Sequence, residues 1–109
     1  MHYLVSASEG PGYASPEETL KGLEDLVLTL FESLMRLEAE KKILAGGVPL
    51  GDRAVVFIVD AASHDEVDRI LRSIPMWGLF KWDVSALETF AGRAAQEREF
   101  VQRLAQALA

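Results

Sequence analysis

The 109-residue chain contains no cysteine. That excludes a disulfide framework and any chemistry carried by a thiolate. Histidine is nearly as scarce, with only His2 and His64, and no zinc-type ligand set can be written from their spacing, so no metal is expected. Basic residues are short as well. Eleven Lys and Arg stand against seventeen Asp and Glu, a net charge of −6, and such a surface lacks the dense basic face that binding nucleic acid or an anionic membrane requires. No apolar run approaches the ~18 residues of a membrane span, and the first residues do not pair a basic head with a long apolar stretch. The expectation is a cytoplasmic protein with neither nucleic acid nor membrane as a partner.

What the chain does have is apolar residues, half of the total, enough for one compact core at this length. They fall into recognisable periods. "HYLVSAS", His2 to Ser8, is β-prone and ends at "EGPGYASP", whose glycines and prolines make a loop. Ser15, Pro16 and Glu18 then form a helix start. The serine oxygen accepts an orphan amide hydrogen, proline sits where its missing donor is harmless, and the glutamate reaches back. Leu20, Leu23, Val27, Leu30, Phe31, Leu34 and Leu37 follow at helical spacing, a buried stripe that Leu26, Leu28 and Met35 widen.

Two further β-prone runs, Ile43 to Val48 and Arg53 to Asp60, flank a turn and read as a hairpin. Gly46 and Gly47 mark a bulge or a close approach. Neither belongs to a phosphate-binding loop, since the lysine and spacing of that motif are missing. "SHDEVDRILRSIP" repeats the earlier helix start with Ser63 as cap, Glu66 three residues on, and Val67, Ile70, Leu71 and Ile74 on one face. The turn "PMWG" leads into a last strand from about Leu79 to Leu87. The tail after Glu88 carries Phe90, Ala94, Val101, Leu104 and Leu108 at helical intervals, an appended amphipathic helix.

In order, the elements read strand, helix, strand, strand, helix, strand, helix. The first six make the split βαβ arrangement of an α+β, ferredoxin-like fold: an antiparallel sheet with both helices on one face. Residues 1–88 form that domain and residues 89–109 a helical extension. Because Ala54, Val56 and Ile58 alternate against Val55, Phe57 and Val59, both faces of the sheet are apolar. The helix-free face therefore predicts a homodimer with two sheets packed together.

Residues Val59 to Leu87, "VDAASHDEVDRILRSIPMWGLFKWDVSAL", resemble the second half of the muconolactone isomerase-like family. An acidic strand end, a serine-capped helix, a turn of the "LP[LM][FW]" type and a final strand alternating acidic and aliphatic residues occur at this spacing. "MHYLV" and the "AGG" before the hairpin fit more loosely, so the resemblance spans roughly residues 1 to 88. It implies a dimeric α/β barrel, assemblies built from dimers, and a cofactor-independent isomerisation of an unsaturated lactone or a similar small oxygenated molecule. A non-catalytic oligomerising or small-ligand-binding module of the same fold is the alternative.

Moving a proton between two carbons requires a base in reach of an acidified C–H and a donor where charge gathers on the carbonyl. On the resemblance, Asp83, Lys81 and His2 are the candidate catalytic residues. Tyr3, Ser6, Trp77, Trp82 and Ser85 are the candidate pocket residues. Of the acids the family places on its last strand only Asp83 is kept, with Lys81 and Ser85 at the other two positions. Lys81 and Asp83 share a strand face, where such a pair either meets water or lines a cavity. Trp77 and Trp82 either wall a ligand site or anchor the core. Tyr13 lies in a loop able to close over a pocket, and His64 is expected at the surface of the second helix.

Overall fold

Strict alternation in the first strand separates two environments from the start. In a computed structural model describing residues 1–10 and 12–109, β1 (His2–Ser8) buries Tyr3, Val5 and Ala7 while the residues between them face the other way. Pro11, within the loop read from "EGPGYASP", lies outside the described residues. The helix α1 (Pro16–Gly22) begins as its capping residues dictate. Ser15 Oγ accepts from the Glu18 amide at 3.1 Å, and the Ala14 amide donates to Glu18 Oε2 at 3.0 Å. Five residues of π-helix, Leu23–Val27, then carry the chain into α2 (Leu28–Ala39).

That interruption changes the expected stripe. Leu30 and Leu37 are buried as their spacing predicts, joined by Ser33, but Leu20, Leu23 and Leu28 are exposed. The helical ladder is reset between the two halves, so only the second presents its apolar side squarely to the sheet. Strands β2 (Ile43–Gly47) and β3 (Ala54–Asp60) form the hairpin, with a register shift between Ile43 and Ala45. Beyond the shift, a Cβ at Gly46 would stand 2.6 Å from the Val56 carbonyl oxygen, so this position tolerates only glycine without a local move.

Helix α3 (His64–Arg72) repeats the first cap: Ser63 Oγ accepts from the Glu66 amide at 3.2 Å, and the Ala62 amide donates to Glu66 Oε2 at 2.8 Å. Past it, Met76 takes a left-handed conformation (φ 58°) and a 3-10 turn, Trp77–Leu79, aims the chain into β4 (Lys81–Leu87). The last strand thus starts two residues later than its apolar pattern suggests, because Leu79 closes the turn. The sheet order is β2-β3-β1-β4, every pair antiparallel, and the helices cover the face bearing Tyr3, Val5, Ala7, Val55, Phe57 and Val59. This is the ferredoxin-like α+β topology expected from the order of elements.

Helix α4 (Phe90–Leu108), capped by Thr89 Oγ1 accepting from the Gly92 amide at 2.9 Å, has no buried residue. It extends away from the body, and the molecule measures 71 × 28 × 21 Å. Among the described residues no helix is long and apolar enough to cross a membrane.

Candidate functional site

Antiparallel register sorts the sequence-derived candidates onto two sides of the sheet. Ser6 is directly opposite Asp83, Leu4 opposite Ser85, and Ser8 opposite Lys81, so Ser6, Lys81, Asp83 and Ser85 gather on the helix-free face. His2 shares that face but lies four residues along β1 from Ser6, about 13 Å at ~3.3 Å per residue. Its Nε2 is 3.9 Å from Asp60 Oδ1, which also accepts from the N-terminal ammonium at 3.5 Å.

Tyr3, Trp77 and Trp82 sit on the opposite, helical side. Tyr3 is buried, and its hydroxyl is 2.8 Å from His64 Nδ1, so the surface histidine expected from sequence is tethered to a core phenol. Trp82 Nε1 donates to the Trp77 carbonyl at 2.9 Å, Phe80 meets Trp82 edge to face, and the Arg72 guanidinium lies 4.3 Å above the Trp77 ring. These aromatics pack against the core, and the Trp82 indole has its polar edge satisfied.

A different group of residues combines polar chemistry with an apolar cleft. At the end of the sheet where β1 finishes and β3 starts, a cleft of about 190 Å³ opens under the π-helical segment. Ala7, Leu23, Val27, Leu30, Phe31, Val55 and Phe80 make its apolar wall, and Glu9, Tyr13, Asp52 and Arg53 its polar mouth. The polar groups converge because Ser8 pairs with Ala54, which makes Glu9 and Arg53 the next opposed residues. Arg53 Nη2 is 3.1 Å from Glu9 Oε2, its Nη1 donates to the Gly10 carbonyl at 2.7 Å, and Tyr13 Oη donates to Glu9 Oε1 at 3.1 Å.

Arg53 also stacks over the Tyr13 ring with its guanidinium carbon 5.4 Å from the centroid. Across the cleft mouth the ring lies against α1, where Gly22 leaves room that any Cβ would take from it. Burial, and then the hydrogen bond to Glu9, raise the Tyr13 pKa above its ordinary value of 10.0, so the phenol keeps its proton. A π-helical turn is costly relative to regular helix and recurs at sites of function; here Leu23 and Val27 from it line the cavity. A second apolar cleft of about 230 Å³ adjoins across Phe31, Val48 and Val55, with Glu38 the one ionisable residue in its lining.

A carboxylate held between a cation and a protonated phenol, at the mouth of an apolar cavity, has the parts a proton transfer needs: base, charge anchor and donor. Sequence reading passed over Glu9 and Arg53, which are 44 positions apart; the usable signal was the pairing of the strands they flank. Tyr13, read from sequence in a loop able to close over a pocket, is among the residues lining this cleft.

The family model described as muconolactone delta-isomerase matches residues 1–93. No curated protein matches the sequence. Among solved structures, the chain is 26% identical to 5-chloro-2-hydroxyhydroquinone dehydrochlorinase from Burkholderia phenoliruptrix, in complex with 2,5-dihydroxybenzoquinone. That similarity covers 81% of this chain and 94% of the other, with a TM-score of 0.61. A muconolactone isomerase structure aligns over 82% of this chain and 90% of its own with a TM-score of 0.67; at 19% identity the likeness is one of fold.

Proposed function

Since the chain belongs to the muconolactone delta-isomerase family, we propose that it moves a proton between carbons of a small oxygenated ring compound, an unsaturated lactone or a close relative, without a cofactor. The observation that carries this reading is the Glu9–Arg53–Tyr13 cluster at the mouth of the 190 Å³ cleft. Glu9 takes a proton from the carbon acidified by the carbonyl, and the electron pair delocalises onto the carbonyl oxygen. The Tyr13 hydroxyl turns its hydrogen bond to that oxygen, where the negative charge collects. Glu9, whose proton exchanges with water at the cleft mouth, then delivers a proton to the far carbon of the conjugated system, which shifts the double bond and leaves the enzyme unchanged. Arg53 anchors an anionic group of the substrate, which takes the place Glu9 occupies beside its guanidinium.

The apolar wall supports this reading, since a substrate that displaces water from it strengthens each of these interactions. The dehydrochlorinase among the structural neighbours is named for losing HCl from a chlorinated hydroxyhydroquinone. That reaction and the lactone isomerisation both need a proton moved at an oxygenated ring.

A second placement of the chemistry rests on register. Asp83 as base and Lys81 as cation, with Ser6 and Ser85 beside them, sit together on the helix-free face, and His2 stands further along it. They become a cavity only when another sheet covers them. We propose that this sheet comes from a second copy, since Leu4, Val56, Ile58 and Leu87 share the face. One experiment separates the two placements: solvent deuterium incorporation into a panel of unsaturated lactones and hydroxyquinones, followed by NMR. With Glu9 as base, Glu9→Gln lowers the exchange rate about 10²–10⁴-fold and Asp83→Asn leaves it within about threefold. The reverse pattern assigns the chemistry to the open face, and no exchange with any compound in wild-type protein removes the proposed activity.

A further inference from the structure

The cleft that carries Glu9, Tyr13 and Arg53 does not end at its own wall. Phe31, Val48 and Val55 belong to it and equally to the second cleft of about 230 Å³, so the two spaces lie side by side along α2. Proton transfer at the cluster uses only the first. The second is lined by apolar side chains apart from Glu38, which is exposed on α2 and so stands at the outer end of the space.

The hairpin explains why this second space exists. On the covered side of β2, Ile43 is opposite Val59 and, past the register shift, Gly46 is opposite Phe57. Gly46 thus takes the place in the strand where a core-facing side chain belongs. The Val56 carbonyl oxygen and Phe57 Cβ, each 2.6 Å from where a Gly46 Cβ would stand, forbid one there. A hollow results, with Leu34 and Met35 of α2 above it and Ile43 and Phe57 of the sheet below. It lies within reach of the reactive cluster. Arg53 is three residues from Val56, the partner of Gly47, or about 10 Å along β3 at ~3.3 Å per residue.

Resting on the proton transfer assigned to Glu9, Arg53 and Tyr13, we propose that the second cleft is a subsite for an apolar chain on the substrate. The substrate class is then an amphiphilic oxygenated ring, with its anionic group at Arg53 and an unbranched alkyl substituent running past Phe31 and Val55 into the hollow between α2 and β2. Continuity carries this assignment: the three shared residues give a chain leaving the ring an apolar path from one space to the next. Each methylene that enters exchanges water for apolar wall, whereas a ring with only small polar arms leaves that wall wet. Glu38 sets the polarity of the far end. A chain ending in a methyl group passes it, and one ending in a second carboxylate meets like charge.

The test uses the full-length chain and a series of unsaturated γ-lactones that carry one carboxylate and, across the ring, a methyl, propyl, pentyl or heptyl group. Calorimetry gives Kd, and solvent deuterium exchange gives turnover. In the wild type, Kd is expected to fall about two- to fourfold per added methylene until the hollow is full, then to level off. Leu34 lines the second cleft and not the first, and it is only partly buried, so it can be changed in both directions. Leu34→Phe should bring the levelling to a shorter chain and Leu34→Ala move it to a longer one, with circular dichroism showing both variants folded. Absence of binding, or a Kd independent of chain length in the wild type, overturns the subsite. So does the same levelling point in both variants, which would put the chain on the outer surface, or self-association lost in Leu34→Phe with a flat length profile, which would assign the hollow to another protein chain. The two readings fail separately: a length-dependent Kd without exchange keeps the subsite and removes the proton transfer, and exchange with a flat profile does the opposite.

Discussion

Val5 and Leu4 are consecutive residues of one strand, equally apolar, and live in different solvents: the first is wholly buried, the second 39% exposed. The whole sheet repeats this contrast. On one face Tyr3, Val5, Ala7, Val55, Phe57 and Val59 are sealed beneath α2 and α3. On the other, Leu4, Val56 and Ile58 alternate in register with Ser6, Asp83 and Ser85. The difference teaches that one chain carries instructions for two kinds of packing. Over β1 and β3 the covered face is closed within the chain, and its side chains there are uniformly apolar. The open face mixes apolar and polar groups, a composition that suits water and, on the dimer proposed above, a second sheet.

The contrast breaks most severely from the covered side. Phe57→Ala removes a ring from the middle of the core and is expected to cost about 3–5 kcal/mol, a large share of the stability of a domain this size. Urea unfolding followed by tryptophan fluorescence measures it, and a loss under about 1 kcal/mol would show that the helices do not seal that face. One residue along the strand, Ile58→Lys is expected to change chain stability by less than about 1 kcal/mol while weakening association tenfold or more. Sedimentation across a concentration series reads that effect. A variant that associates as wild type does would remove the open face as a partner surface.

The smallest expected effect lies at the end of the sheet, where the two faces meet the cleft. Tyr13 binds its proton more tightly in the folded chain than in the unfolded one. Its contribution to stability is therefore fully present below the unfolded pKa near 10 and lost as pH rises through the higher folded value. The wild-type urea midpoint should fall more steeply than that of Tyr13→Phe as pH rises above about 10, with the two curves parallel below. Equal slopes throughout would mean that the phenol is free in solvent.

Much of the fold was legible because it is encoded locally. Ser15 with Glu18 and Ser63 with Glu66 mark helix starts within four residues, and the alternation from Ala54 to Asp60 describes a strand with no knowledge of its neighbours. What could not be read depends on residues distant in sequence. Nothing in "LEDLV" announces a π-helix, in which an extra residue is accommodated within one turn. Leu20 and Leu23 fit the helical period and still remain exposed, since period says which residues align but not whether anything lies opposite. The Glu9–Arg53 ion pair was hidden for a similar reason, becoming visible only with the register that opposes Ser8 and Ala54. His64 has the exposure its helical position suggests, and only the fold reveals the hydroxyl of Tyr3 at its ring nitrogen.

The five-residue wide turn at Leu23–Val27 also bears on how this chain tolerates change of length. Regular helix advances 100° per residue, so an added residue would swing everything after it around the axis and carry Leu30 and Leu37 off the sheet. A widened turn absorbs the surplus on the spot. Deleting one amino acid from that segment should let the helix rewind as a continuous rod with both ends still facing their present neighbours, erasing the bulge and reshaping the roof of the adjoining cavity.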